Sequence, residues 1–204
     1  MVLIGIAGKM GCGKDYICNN IIIPILKHNN ETYLQLAFAD QIKINVMTKH
    51  NVDFKDVYIN KTTETRRLLQ LEGTENGRDK IDKNIWINYF HNWVNVFKNR
   101  NINNIICTDV RFKNELDYIK NNGGILILIN APKRNSERLK NESQGDPILI
   151  EYIKNHRSEC DLDDLNSNVF DLVINNDPGS NLNLAYKQFY ELYNLKVLKS
   201  KVFK

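Results

Sequence analysis

Short apolar runs bounded by turn residues recur along the chain at 2–7, 33–39, 104–108, 125–129 and 170–174. Strands covered on both faces are continuously apolar rather than alternating, so these runs predict five buried strands of a parallel sheet. Between them the apolar positions take helical spacing over 15–28, 41–48, 65–71, 113–121 and 182–198. The clearest stripe is Trp86, Tyr89, Phe90, Trp93, Val94 and Phe97, an i, i+3, i+4, i+7 pattern that reads as one core-facing helix face. Pro24 is expected to kink or shorten the first helix, because it lacks an N–H and crowds the preceding turn. Strands alternating with helices predict an α/β fold with a parallel sheet flanked by helices on both faces. Residues 131–155 are polar and carry Gly145-Asp146-Pro147, so a mobile lid outside the sheet is expected from about 131 to 157.

With 42% of its residues hydrophobic, the 204-residue chain has the apolar material for one globular domain over its whole length. Its net charge of +4 arises from scattered residues without a dense Lys/Arg block. A small anionic ligand accounts for that charge, and no nucleic-acid polymer is expected as a partner. Cys12, Cys18, Cys107 and Cys160 form no C-x-x-C pair, which points to reduced thiols rather than a disulfide framework or a zinc site. The apolar start lacks a basic leader and is broken by Lys9 and Lys14, far short of a membrane span. A cytoplasmic protein is expected, in the host cytoplasm if the source is viral.

Directly after the first apolar run stands Gly8-Lys9-Met10-Gly11-Cys12-Gly13-Lys14-Asp15, a G-x-x-x-x-G-K phosphate loop leading into a helical pattern. Its glycines let backbone N–H groups turn inward on phosphate oxygens, the helix start adds positive potential, and Lys14 reaches the β and γ phosphates. The competing dinucleotide pattern G-x-G-x-x-G fails, because Tyr16 stands where its third glycine would be. Asp15 replaces the usual hydroxyl residue. It is either a hard oxygen ligand for Mg²⁺ or the N-cap of the helix. Outside the loop, arginines occur in three further segments. Arg66, Arg67 and Arg78 flank a polar turn, Arg111 follows the third strand, and Arg134 and Arg138 lie in the lid. Guanidinium forks grip phosphate bidentately, so this distribution implies a second phosphorylated ligand beside ATP.

Several motifs in order extend the picture: Arg66 to Glu75 as R-R-L-L-Q-x-x-G-T-E, then Trp86, and Asp109 to Glu115 as D-V-R-F-x-N-E. Gly123-Gly124, Ser158-Glu159 and the run V-I-N-N-D at 173–177 follow. Together they resemble the phage-type deoxynucleoside monophosphate kinases from Gly5 to Gly179. The resemblance implies a P-loop NTPase fold with strand order 2-3-1-4-5, ATP and Mg²⁺ as cofactors, and a deoxynucleoside monophosphate as acceptor. It assigns Gly8, Gly11, Cys12, Gly13, Lys14, Asp15, Tyr16 and Arg134 to ATP, although the family often has Thr where Tyr16 stands. Asp40, Lys43, Arg67, Gln70, Thr74, Glu75, Arg78, Trp86, Asp109 and Arg111 fall to the acceptor. Lys14, Arg111 and Arg138 fall to catalysis, and Asp15 and Asp109 to the metal. A homodimer is compatible with the chain.

Other readings are weighed beside this one. A phosphomevalonate-type kinase shares the G-K-D loop and the Ser-Glu pair but not the Arg66 to Glu75 run. A nucleotide-binding regulatory module would do little chemistry, and no guanine-reading N-K-x-D is present. His156 receives no catalytic role, because an acceptor phosphate is already ionised near neutral pH.

Overall fold

The computed structural model describes residues 1–202, with side chains through residue 197. The first apolar run forms β1 (Val2–Ala7), buried from Leu3 onward. It is central in a five-stranded sheet of order β2-β3-β1-β4-β5, with β2 at Tyr33–Gln35, β3 at Asn104–Val110, β4 at Ile125–Asn130 and β5 at Leu172–Asn175. Every pairing is parallel. The α/β fold with five parallel strands in the expected order is therefore borne out.

Strand ends differ from expectation: β4 runs one residue further, to Asn130, β5 is shifted to Leu172–Asn175, and β2 and β3 differ where they approach the site. β2 stops at Gln35 rather than 39, because the Asp40 carboxylate takes the Ala37 N–H at 2.8 Å and turns the chain into a helix. β3 runs to Val110. Gly5 opposes Cys107 while Ala7 opposes Val110, so β3 carries an extra residue at Thr108 and Asp109. Such a bulge re-aims side chains where a strand ends at a site.

The helix after β1 meets its proline without stopping. α1 (Lys14–Ile17) continues through a π-helical turn at Cys18–Ile22 into α2 (Ile23–His28). The widened turn gives the Ile23 N–H to the Cys18 carbonyl just before Pro24, which removes the crowding that would break a regular helix.

The chain folds as two units, one of Met1–Gln35 with the residues from Asn101 onward, the other of Leu36–Arg100. The second unit holds α3 (Asp40–His50), α4 (Phe54–Tyr58), α5 (Thr63–Gln70), a π-helical stretch at Leu71–Asp79, and α6 (Ile85–Lys98). Val46, Val57 and Leu68 form one small core there, and Phe38 packs on Phe90 with ring centroids 4.2 Å apart. The polar turn expected between Arg67 and Arg78 is instead helical, over Leu71–Asp79. It is held by Trp86, which is 1% exposed and donates its indole N–H to the Gly73 carbonyl at 2.7 Å. A Cβ on Gly77 would stand 2.3 Å from the Trp86 ring, so only glycine lets the indole lie there. The α6 stripe is narrower than expected: Trp86, Ile87, Phe90 and Val94 are buried, while Tyr89 and Trp93 are 40% and 38% exposed. The buried set follows i, i+1, i+4, i+8, rotated away from the i+3 positions.

In the first unit, α7 (Lys113–Asn121) covers one sheet face, with Ile119 beside Gly5. The other face buries Ile4 and Ile6 under Ile17, Ile21 and Ile25, joined by Phe189 and Tyr193 of α11 (Leu182–Val202). Between β4 and β5 come α8 (Pro132–Glu142), α9 (Pro147–Asn155) and α10 (Arg157–Cys160). α8 and α9 bury no residue fully, in keeping with their polar sequence.

Candidate active site

β1 ends with Ala7 opposite Val110 and Leu128, so the glycine loop leaves the sheet at the carboxyl edge where β3 and β4 also end. Gly13, with φ of 89°, closes the loop and is the N-cap of α1. Two asparagines pin the loop from outside. Asn176 Nδ2 donates to the Cys12 carbonyl at 2.8 Å, and Asn135 Nδ2 of α8 donates to the Met10 carbonyl at 2.7 Å.

Lys14 lies inside this loop, 9% exposed, with its Nζ donating to the carbonyls of Gly8 at 2.7 Å and Lys9 at 3.0 Å. The Cys12 thiol lies 3.8 Å away. Burial pulls the Lys14 ammonium below the usual lysine value and pushes the Cys12 thiol up. Among the described residues no carboxylate is bonded to this buried ammonium, whose partners are two carbonyls and a thiol. Asp15, the next residue, is exposed and makes no capping hydrogen bond, so the N-cap alternative does not describe it. Tyr16 is exposed beside it.

Arg111 follows β3 and is held at its backbone: Glu115 Oε2 accepts the N–H groups of Arg111 at 2.8 Å and Phe112 at 3.2 Å. This is the reach-back half of a capping box, and it explains the glutamate of the D-V-R-F-x-N-E run. The Arg111 guanidinium pairs with Glu159, whose other oxygen accepts the Met10 N–H at 2.8 Å. Lys9 bonds the Asp163 carboxylate and the Glu159 carbonyl. From α8, Arg138 packs its side chain against Gly11 and pairs with Glu142, Nε to Oε1 at 3.0 Å. Arg134 sits in the first turn of α8, where Asp177 accepts its N–H at 3.1 Å. The loop, α8, α9 and the α10 segment line an open cleft of about 380 Å³, its walls including Lys9, Met10, Asn135, Arg138, Glu159 and Asp163. Lys14, Arg111 and Arg138 are thus gathered around residues 8–15.

Asp109 is half-buried on the β3 bulge and accepts from the Cys107 thiol at 3.0 Å. Among the described residues no three His, Cys, Asp or Glu side chains cluster as a metal cage. His156 caps α10 by accepting the Ser158 N–H at 3.3 Å, a structural duty.

The other candidates lie in the second unit. Asp40 accepts from Lys43 at 3.0 Å and from the Tyr58 hydroxyl at 3.2 Å, and the Lys43 ammonium stands 4.3 Å from the centre of the Tyr58 ring. Arg67 makes an exposed pair with Glu64, Gln70 and Glu75 are exposed, and Thr74 is half-buried. Arg78 is buried, one guanidinium nitrogen donating to the Lys83 carbonyl at 3.3 Å. Sequence reasoning missed Tyr58, Asn135, Glu159 and Asn176. Of these, Glu159 and Asn176 lie in the Ser-Glu and V-I-N-N-D runs, the one signal that marks them.

Residues 18–177 match the family described as deoxynucleotide monophosphate kinase. A protein of Acanthamoeba polyphaga mimivirus, provisionally named a deoxynucleotide monophosphate kinase, is 30% identical over 151 residues, 65% of this chain and 75% of its own. Among solved structures, TT1252 from Thermus thermophilus superposes with a TM-score of 0.50 at 14% identity, covering 98% of this chain and 97% of that one. Shikimate kinase from Aquifex aeolicus gives 0.43 at 11% identity, covering 97% and 99%. The first structural likeness concerns the fold alone. The family match extends over most of the chain, and the chain belongs to the deoxynucleotide monophosphate kinase family.

Proposed function

We propose that this kinase transfers the γ-phosphoryl group of ATP to the 5′-phosphate of a deoxynucleoside monophosphate, giving ADP and the deoxynucleoside diphosphate. The observation that carries the reading is Lys14, a buried ammonium whose partners are carbonyls and a thiol. Burying a cation is unfavourable unless an anion offsets it, so the loop is built to receive one. Backbone N–H groups around positive-φ glycines and the start of α1 favour a phosphate there.

In the transfer, an oxygen of the acceptor phosphate bonds to the γ phosphorus while the bond from that phosphorus to the β–γ bridging oxygen breaks. The bridging oxygen keeps the electron pair as part of ADP. Catalysis of this kind is positioning and charge stabilisation. Lys14, Arg111 and Arg138 supply the positive donors, with Gly8, Gly11, Cys12, Gly13, Tyr16 and Arg134 on the ATP side. Asp15 and Asp109 carry hard carboxylate oxygens that would hold Mg²⁺, and the ion would offset phosphate charge there. For the acceptor we assign Arg78, Arg67, Gln70, Thr74, Glu75, Asp40 and Lys43. Trp86 serves that set by holding the Gly73 carbonyl and the helical stretch around it. Replacing Arg78 by Ala, with steady-state kinetics in each substrate, tests the acceptor assignment: the acceptor KM should rise far more than the ATP KM. Equal effects on both remove Arg78 from the acceptor site.

A further inference from the structure

Two donors that the proposed transfer calls on already face a carboxylate. Glu159, whose side chain is 8% exposed, accepts the Met10 N–H at 2.8 Å through one oxygen and the Arg111 guanidinium through the other. Its backbone carbonyl takes the Lys9 ammonium, which also meets Asp163, so the α10 segment is strapped to the loop at three points. The transfer reaction itself gives Glu159 no part.

Carboxylates and phosphates are recognised by the same groups: backbone N–H donors of a loop and the fork of an arginine. A loop N–H serves one strong acceptor at a time, and a carboxylate beside phosphate oxygens repels them. The Met10 N–H belongs to the loop that the proposed function fills with phosphates, and the inference rests on that reading. We infer that Glu159 is an internal stand-in for a nucleotide phosphate. It holds the Met10 N–H and the Arg111 guanidinium until phosphate displaces it, and both donors pass to the phosphate. Displacement draws the α10 segment off the loop and loosens the Lys9–Asp163 strap. A carboxylate fixed in place to orient Arg111 would behave oppositely, since its removal would weaken phosphate binding.

The test is calorimetric titration of the full chain with inorganic tripolyphosphate, and separately with ATP, for the wild type and Glu159→Gln. Glutamine keeps the shape and removes the charge. The variant should bind both ligands about tenfold more tightly, equal to ~1.4 kcal/mol. Unchanged or weaker binding overturns the inference. Should the wild type bind neither ligand, the reading of residues 8–15 as a phosphate site falls first. Hydrogen exchange on the wild type serves if the variant does not fold. On adding tripolyphosphate, residues 8–15 should gain protection while residues 157–163 lose it. Protection gained in both segments means that Glu159 stays in place, and refutes its role as a stand-in.

Discussion

Replacing Gly13 by Ala tests the loop where its geometry is tightest. Gly13 has φ of 89°, a left-handed conformation that costs a residue with a Cβ roughly 1–2 kcal/mol. The added Cβ would stand 2.3 Å from Asn176 Nδ2, so the asparagine must move. That breaks its 2.8 Å bond to the Cys12 carbonyl, between two buried residues, at about 1–3 kcal/mol. The single substitution should therefore cost about 2–5 kcal/mol in urea unfolding at unchanged m, and weaken ATP binding. Asn176→Ala alone forfeits the same bond. The Gly13→Ala, Asn176→Ala double variant loses it only once and relieves the clash, so it should be less destabilised than the sum by about 1–3 kcal/mol. Strict additivity of the two, within ~0.5 kcal/mol, would show that Asn176 does not brace the loop at Gly13.

Lys14→Ala should lower kcat by on the order of 10²–10³ with a near-unchanged urea midpoint; turnover close to wild type in a coupled ADP assay would remove Lys14 from the transfer. Trp86→Phe leaves the buried Gly73 carbonyl without its donor, for about 1–3 kcal/mol and roughly 2–4 °C of melting temperature per kcal/mol. Its acceptor KM should rise while the ATP KM holds, and an unaltered melting curve contradicts the clamp. Burial pushes the Cys18 thiol from 9.0 up to about 11, partly countered by the Gln35 amide. Because the folded value is the higher one, its contribution is full below pH 9.0 and is lost as pH rises toward about 11. Wild-type stability should fall over that window by about 2 kcal/mol more than that of Cys18→Ala, and parallel pH profiles refute this.

The parts legible in the sequence are those set by local chemistry. Continuous apolar runs identified every strand of the sheet, and the loop from Gly8 to Lys14 was readable because phosphate binding demands glycines and a lysine at fixed spacing. What escaped depends on partners distant along the chain. Asn135 finds Met10 across 125 residues, Glu159 finds it across 149, and Asn176 finds Cys12 across 164, and no periodicity encodes such pairs. The polar residues between Arg67 and Arg78 predict a turn, yet they form a helical stretch in which Gly77 admits the Trp86 ring. Tyr89 and Trp93 looked like core because apolarity alone does not say which side of a helix meets a neighbour. β2 ends early where one carboxylate, Asp40, takes the Ala37 N–H.

Incubation of the purified chain with ATP, Mg²⁺ and a panel of deoxy- and ribonucleoside monophosphates, with phosphomevalonate beside them, tests the central claim most directly. The account predicts ADP and a deoxynucleoside diphosphate formed in equal amounts from at least one deoxynucleoside monophosphate, with the product lost in Lys14→Ala. Phosphorylation of phosphomevalonate with no nucleotide accepted, or ADP release with no phosphorylated acceptor, would contradict it.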